Sequence, residues 1–95
     1  MAVEEQRYLL DLGRQLRAVR RERGLSLKVV EAMTHGEFKA SALGAYERAQ
    51  RTISVVRLHQ LASFYRVSVD RLLPSDDAAN VVIDLREGTG ARLPT

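Results

Sequence analysis

The stretch Lys39-Ala40-Ser41-Ala42-Leu43-Gly44-Ala45-Tyr46-Glu47-Arg48 decides the fold. It lies between two stretches with clear apolar stripes, yet has only Leu43 and Tyr46 as large apolar groups. A helix this poor in bulk either packs very closely on a neighbour or offers a flat face to a partner. Just upstream, Ser26 is placed to cap a second helix, Leu27 to about Thr34, with Leu27, Val30 and Met33 as its apolar members and His35-Gly36 as its break. Before it, Leu9, Leu12, Leu16 and Val19 recur at helical spacing in a long first helix, which Gly24 stops in the left-handed position after a helix. Downstream, Ser54 caps a fourth helix with Val55, Leu58, Leu61, Ala62 and Tyr65 inward. Ser68 caps a short fifth that runs through Leu72 and Leu73 to Pro74, which cannot continue it. These stripes and caps predict an all-α, five-helix bundle over residues 5–74.

The chain is expected to divide into a helical domain at 1–74 and a tail at 75–95. Ser75 to Asn80 reads as a linker, and Val81-Val82-Ile83-Asp84-Leu85 as a short candidate strand before a flexible end. A lone strand is not stable in water. It is therefore expected to pair with a second copy, giving a two-fold homodimer on a palindromic site, or to join a domain outside this sequence; a disordered tail is the third reading.

Composition narrows the classes. At 45% hydrophobic and 28% charged, the chain is too apolar for intrinsic disorder. It has no cysteine, hence no disulfide framework or thiolate metal site, which suits a cytoplasmic protein. No apolar run approaches the ~18 residues of a membrane span. The net charge of +3 is unevenly placed: residues 1–75 hold 13 Lys or Arg against 8 Asp or Glu, whereas residues 76–95 hold 2 against 4. The basic part is the folded part, and its field favours phosphate polymers. His35 and His59 stand on different elements without metal-ligand spacing, and no nucleophile elbow or glycine-rich phosphate loop is present. No enzyme activity, metal or cofactor is expected.

A capped helix, a tight connection and a second helix exposing small and polar residues make a helix-turn-helix arrangement. A helix entering a major groove ~12 Å wide needs short side chains where its backbone nears the base edges. Lys39, Ala40, Ser41, Gly44 and Ala45 meet that demand as an outward, groove-facing set, while Ala42 is expected to pack inward. Lys28 in the first turn of the second helix, with Arg48, Arg51 and Thr52 after the third, would hold flanking phosphates. The expected function is a sequence-specific DNA-binding transcription regulator that represses, with double-stranded DNA as partner. The alternative is a protein-interaction or antitoxin-like adaptor that uses the same fold without base reading.

Residues 12–74 resemble the Xre/Cro-CI helix-turn-helix family. The likeness lies in Leu-Gly-x-x-Leu-Arg-x-x-Arg from Leu12, Gly24-Leu25-Ser26, Tyr46-Glu47-Arg48, Leu58-x-x-Leu61-Ala62 and the closing Leu72-Leu73-Pro74. Within the family it is similar to the BldD-like developmental regulators of actinomycetes, through Gly24 to Leu27, Lys39-Ala40, Gly44, Arg51 and Phe64-Tyr65. The resemblance implies a partly buried ion pair between Arg20 and Glu47, joining the first helix to the end of the third. It departs from the family in three ways. The connection between the second and third helices is longer by about two residues, as in the BldD-like members. Ala49 and Arg66 stand where the family places glycine, so both helix ends are expected to be strained or altered. The cyclic di-GMP site of the BldD-like regulators lies in a further domain, and the residues around Asp84 to Glu87 are too few to carry it.

Overall fold

Four of the helices end by the same backbone device. After α1 (Val3–Glu22), α2 (Leu27–Met33), α3 (Ala40–Glu47) and α4 (Val55–Tyr65), one residue turns into the left-handed region. These residues are Gly24 (φ 71°), His35 (φ 54°), Ala49 (φ 60°) and Arg66 (φ 62°). The next amide then reaches back into the last turn: Leu25 N–H to the Arg20 carbonyl, Gly36 to Glu31, Gln50 to Ala45 and Val67 to Ala62, over 2.8–3.2 Å. This satisfies carbonyls that the helix end would otherwise leave open. Only the first of the four positions is glycine; His35, Ala49 and Arg66 hold the left-handed conformation against the Cβ penalty. Ala49 and Arg66 thus carry the backbone strain expected of them, and both helices close with the same hydrogen bond as α1.

This computed structural model describes residues 3–74, and no strand occurs among them. The linker and candidate strand of 75–95 lie outside the described residues. At the N-termini, Ser26 Oγ accepts from the Val29 amide and Ser54 Oγ from that of Arg57, both at 3.1 Å. Ser68 occupies the N-cap position of α5 (Val69–Leu72), but its side chain accepts no cap hydrogen bond. α1 places Glu4 and Glu5 in its first turn and Arg20 and Arg21 in its last, the arrangement that complements the helix dipole.

All five helices contribute to the core. Leu16, Val19, Val30, Leu43, Leu61, Tyr65 and Leu72 are almost wholly buried, with Leu12, Phe38, Tyr46, Leu58 and Ala62 around them. Two expected members are missing. Met33, the last residue of α2, is 54% exposed, and Val55, the first of α4, is 82% exposed. Phe38, from the connection between α2 and α3, fills the core and is only 3% exposed. Burial pushes the Tyr65 phenol well above its usual range, and its hydroxyl finds no hydrogen-bond partner among the described residues. No described helix is long and apolar enough to cross a membrane.

Candidate functional site

An isolated helix as short as α3 is not stable, so tertiary contacts must hold it in place. At its N-terminus, Lys39 occupies the cap position without a side-chain bond, and Glu31 of α2 supplies the missing acceptor. Glu31 Oε1 receives the Ala40 N–H at 2.8 Å. That bond holds the Glu31 carboxyl below its usual range; the Lys28 and Lys39 charges add to the effect and partial desolvation opposes it.

The long connection before α3 is pinned at several points. Thr34 Oγ1 donates to the Val30 carbonyl at 2.9 Å and accepts from the Phe38 N–H at 3.2 Å. Arg57 of α4 lays its guanidinium 4.1 Å from the centre of the Phe38 ring, where it is attracted by the ring's negative face. It also donates through Nη2 to the Glu37 carbonyl at 2.6 Å and through Nη1 to Glu37 Oε2 at 3.0 Å.

The C-terminal end of α3 is held by α1. Arg20 Nε donates to Glu47 Oε2 at 2.7 Å and Nη2 to Oε1 at 2.9 Å, while Nη1 donates to the Leu25 carbonyl at 2.8 Å. The two side chains are 11% and 7% exposed, and the pairing keeps the guanidinium above its ordinary pKa. Gly13 explains how the helices come so near. A Cβ there would collide with the Glu47 carbonyl oxygen and stand 2.9 Å from that of Tyr46. Only a residue without a side chain lets α1 approach the last turn of α3 this closely.

Lys39 and Ser41 are exposed on the outer side of α3, Ala40 is partly so, and Ala42 packs against the core from a half-buried position. Lys28 is exposed in the first turn of α2, as are Arg51 and Thr52 just beyond α3, with the Arg51 guanidinium 5.7 Å from the centre of the Tyr46 ring. Gly44 and Ala45, expected to face outward, are buried instead. Ala45 belongs to the packed side of α3. Gly44 is covered by the side chain of Arg48, whose Nη1 would stand 2.8 Å from a Cβ at that position. Arg48 stands just beyond the helix end, as expected, as the C-cap of α3, and its guanidinium folds back along the helix, where its Nε donates to Gln50 Oε1 at 3.1 Å.

Sequence spacing therefore located Lys28, Lys39, Ala40, Ser41, Arg51 and Thr52 on accessible positions. It missed the residues that fix them: Glu31, Phe38, Gln50 and Arg57. Of these, only Phe38 left a trace in the sequence, as a bulky apolar residue in a polar connection.

Residues 11–73 match the family described as a helix-turn-helix domain. The fold is similar to the crystal structure of the DNA-binding domain of BldD, with a TM-score of 0.72 and 46% identity over 78% of this chain and 100% of that one. It is likewise similar to the BldD DNA-binding domain of S. venezulae, with a TM-score of 0.70 and 48% identity over 72% of this chain and 99% of that one. No curated protein matches.

Proposed function

Because the chain belongs to the helix-turn-helix domain family, we propose that it is a sequence-specific DNA-binding transcription regulator that reads the major groove with α3 and acts as a repressor. The observation that carries this reading is the likeness over the full length of a DNA-binding domain, at an identity far above what a shared fold requires. In the proposed complex, Lys39 and Ser41 bond base edges and Ala40 meets a thymine methyl. Lys28, Arg51 and Thr52 hold flanking phosphates and set the register. Repression follows from occupying a site that the transcription machinery needs. The activity is assigned to residues 1–74.

Selection of bound duplexes from a random DNA pool tests the reading, followed by binding to the selected site across a range of salt. A regulator of this kind enriches a defined sequence, and log K falls with log[salt] with a slope of about −0.9 per phosphate neutralised. Two copies acting on a two-fold site would enrich inverted half-sites about 34 Å apart. Failure to enrich any sequence, with weak binding at every salt, would favour the adaptor and remove the proposal.

A further inference from the structure

Ser41, Gly44 and Arg48 are spaced i, i+3, i+7 and so share one face of α3. Long helical side chains lean toward the N-terminus. The Arg48 side chain does so, and its guanidinium comes to rest against Gly44, with Nη1, Nη2 and Cζ at 2.8, 3.4 and 3.5 Å from where a Cβ would be. Gln50 fixes this placement. Its own amide is tied to the Ala45 carbonyl at 2.8 Å, and its Oε1 receives Arg48 Nε at 3.1 Å. Nη1 and Nη2 have no partner among the described residues. The middle of the outward face, where the sequence shows a glycine, thus presents the open edge of a guanidinium.

We propose that Arg48 is a base-reading residue selective for guanine, and not a flanking phosphate anchor, with Gly44 as the platform it lies on and Gln50 as its positioning residue. This rests on the DNA-reading function proposed above. Guanine offers O6 and N7 as paired acceptors in the major groove, which suit the two-pronged edge of an arginine. Location separates the two roles: Arg51 stands past the helix end, whereas the Arg48 guanidinium is level with Gly44 inside it. Holding the guanidinium in place before binding reduces the ordering cost of the contact.

The test is pool selection and competition binding with the full chain, comparing the parent with Arg48→Ala, Gly44→Ala and Gln50→Ala, and with the two double variants that combine Arg48→Ala with each of the others. The parent is expected to select a guanine that Arg48→Ala no longer requires, its discrimination at that position falling by roughly 5- to 150-fold. Gly44→Ala and Gln50→Ala should weaken the same preference. Neither should add to the loss once Arg48 is gone. Gly44→Ala displaces only the far end of a flexible side chain and puts a better helix former inside α3, so its melting temperature should match or exceed the parent's. The inference is overturned if Arg48→Ala weakens all sequences alike or relaxes a position that is not guanine. It is overturned equally if Gly44→Ala or Gln50→Ala costs as much without Arg48 as with it. A parent that enriches no sequence removes the DNA-reading proposal itself, and this inference with it.

Discussion

Replacing Glu47 by Gln isolates the charge that holds α3 to α1. The amide keeps one acceptor for Arg20 but loses the negative charge and the second lone-pair partner of the fork. Arg20 then remains 11% exposed, bonded to the Leu25 carbonyl and no longer neutralised. Breaking a fully buried pair from one side costs about 3–5 kcal/mol, and the part-buried setting together with the retained acceptor places this substitution at the low end, about 3 kcal/mol. A domain of this size is stable by roughly 4–10 kcal/mol, so the variant loses about 30% or more of its stability. At about 4–8 °C per kcal/mol, the melting temperature should fall by about 12–24 °C. Urea unfolding followed by far-ultraviolet circular dichroism measures the change, with an unaltered m-value showing that the folded state is still the same. An Arg20→Met, Glu47→Leu double variant should recover much of the loss, since no buried charge then lacks a partner. A Glu47→Gln variant within about 0.5 kcal/mol of the parent would refute the reasoning, because that is the scale of an exposed pair.

Gly13→Ala should destabilise by about 3 kcal/mol despite the better helix propensity, because the new methyl meets backbone carbonyls that cannot turn aside; thermal unfolding measures it. Ala49→Gly should stabilise by about 0.5–1 kcal/mol in the same assay, by relieving a non-glycine residue at φ 60°. Glu31→Gln should be less stable than the parent at neutral pH. The Glu31 carboxyl is held below its ordinary 4.5, so its stabilisation is complete above that value and is lost as pH falls through the lower folded value. The gap between parent and variant should therefore close as unfolding is measured at successively lower pH below 4.5. Tyr65→Phe removes a buried hydroxyl that has no partner among the described residues, and should leave stability unchanged or raise it by up to about 1 kcal/mol in urea.

The sequence made the helices legible because each signal was local. Serines at 26 and 54 cap through their own backbone neighbours, and Leu12, Leu16 and Val19 repeat along one helix. What stayed hidden was contact between elements. Glu31 caps a helix nine positions away in sequence, and no spacing rule connects it to Ala40. Met33 and Val55 match their stripes, but each is a terminal residue of its helix, and a stripe does not show how far packing extends along it. Phe38 lies in a connection, where periodicity has nothing to report. Gly44 and Ala45 show the same gap from the other side. A small residue is compatible with an open face, a packed face or a face covered by another side chain, and only the position of Arg48 separates these. The Arg20–Glu47 pair was expected from the family resemblance, which carries long-range information that local pattern lacks.

Holding α3 at both ends has a consequence for separating stability from recognition. Glu31 fixes its first turn, Arg57 and Phe38 fix the chain leading into it, and Gly13 with the Arg20–Glu47 pair fixes its last turn. None of these groups lies on the stripe formed by Ser41, Gly44 and Arg48. Under the proposed function, damage to a holding residue lowers the fraction of molecules with α3 in place, and so weakens every DNA sequence by the same factor. Damage to the stripe leaves the fold intact and changes which sequence is preferred. The two classes are thus distinguished by a ratio, the affinity for the selected site over that for a scrambled one. Glu47→Gln should preserve that ratio, lowering both affinities by the same factor only at temperatures where it is partly unfolded, and Arg48→Ala should change the ratio at unchanged melting temperature. If Glu47→Gln altered the preferred sequence at temperatures where it is fully folded, the holding contacts would be setting the pose of α3 in the groove as well as its presence there.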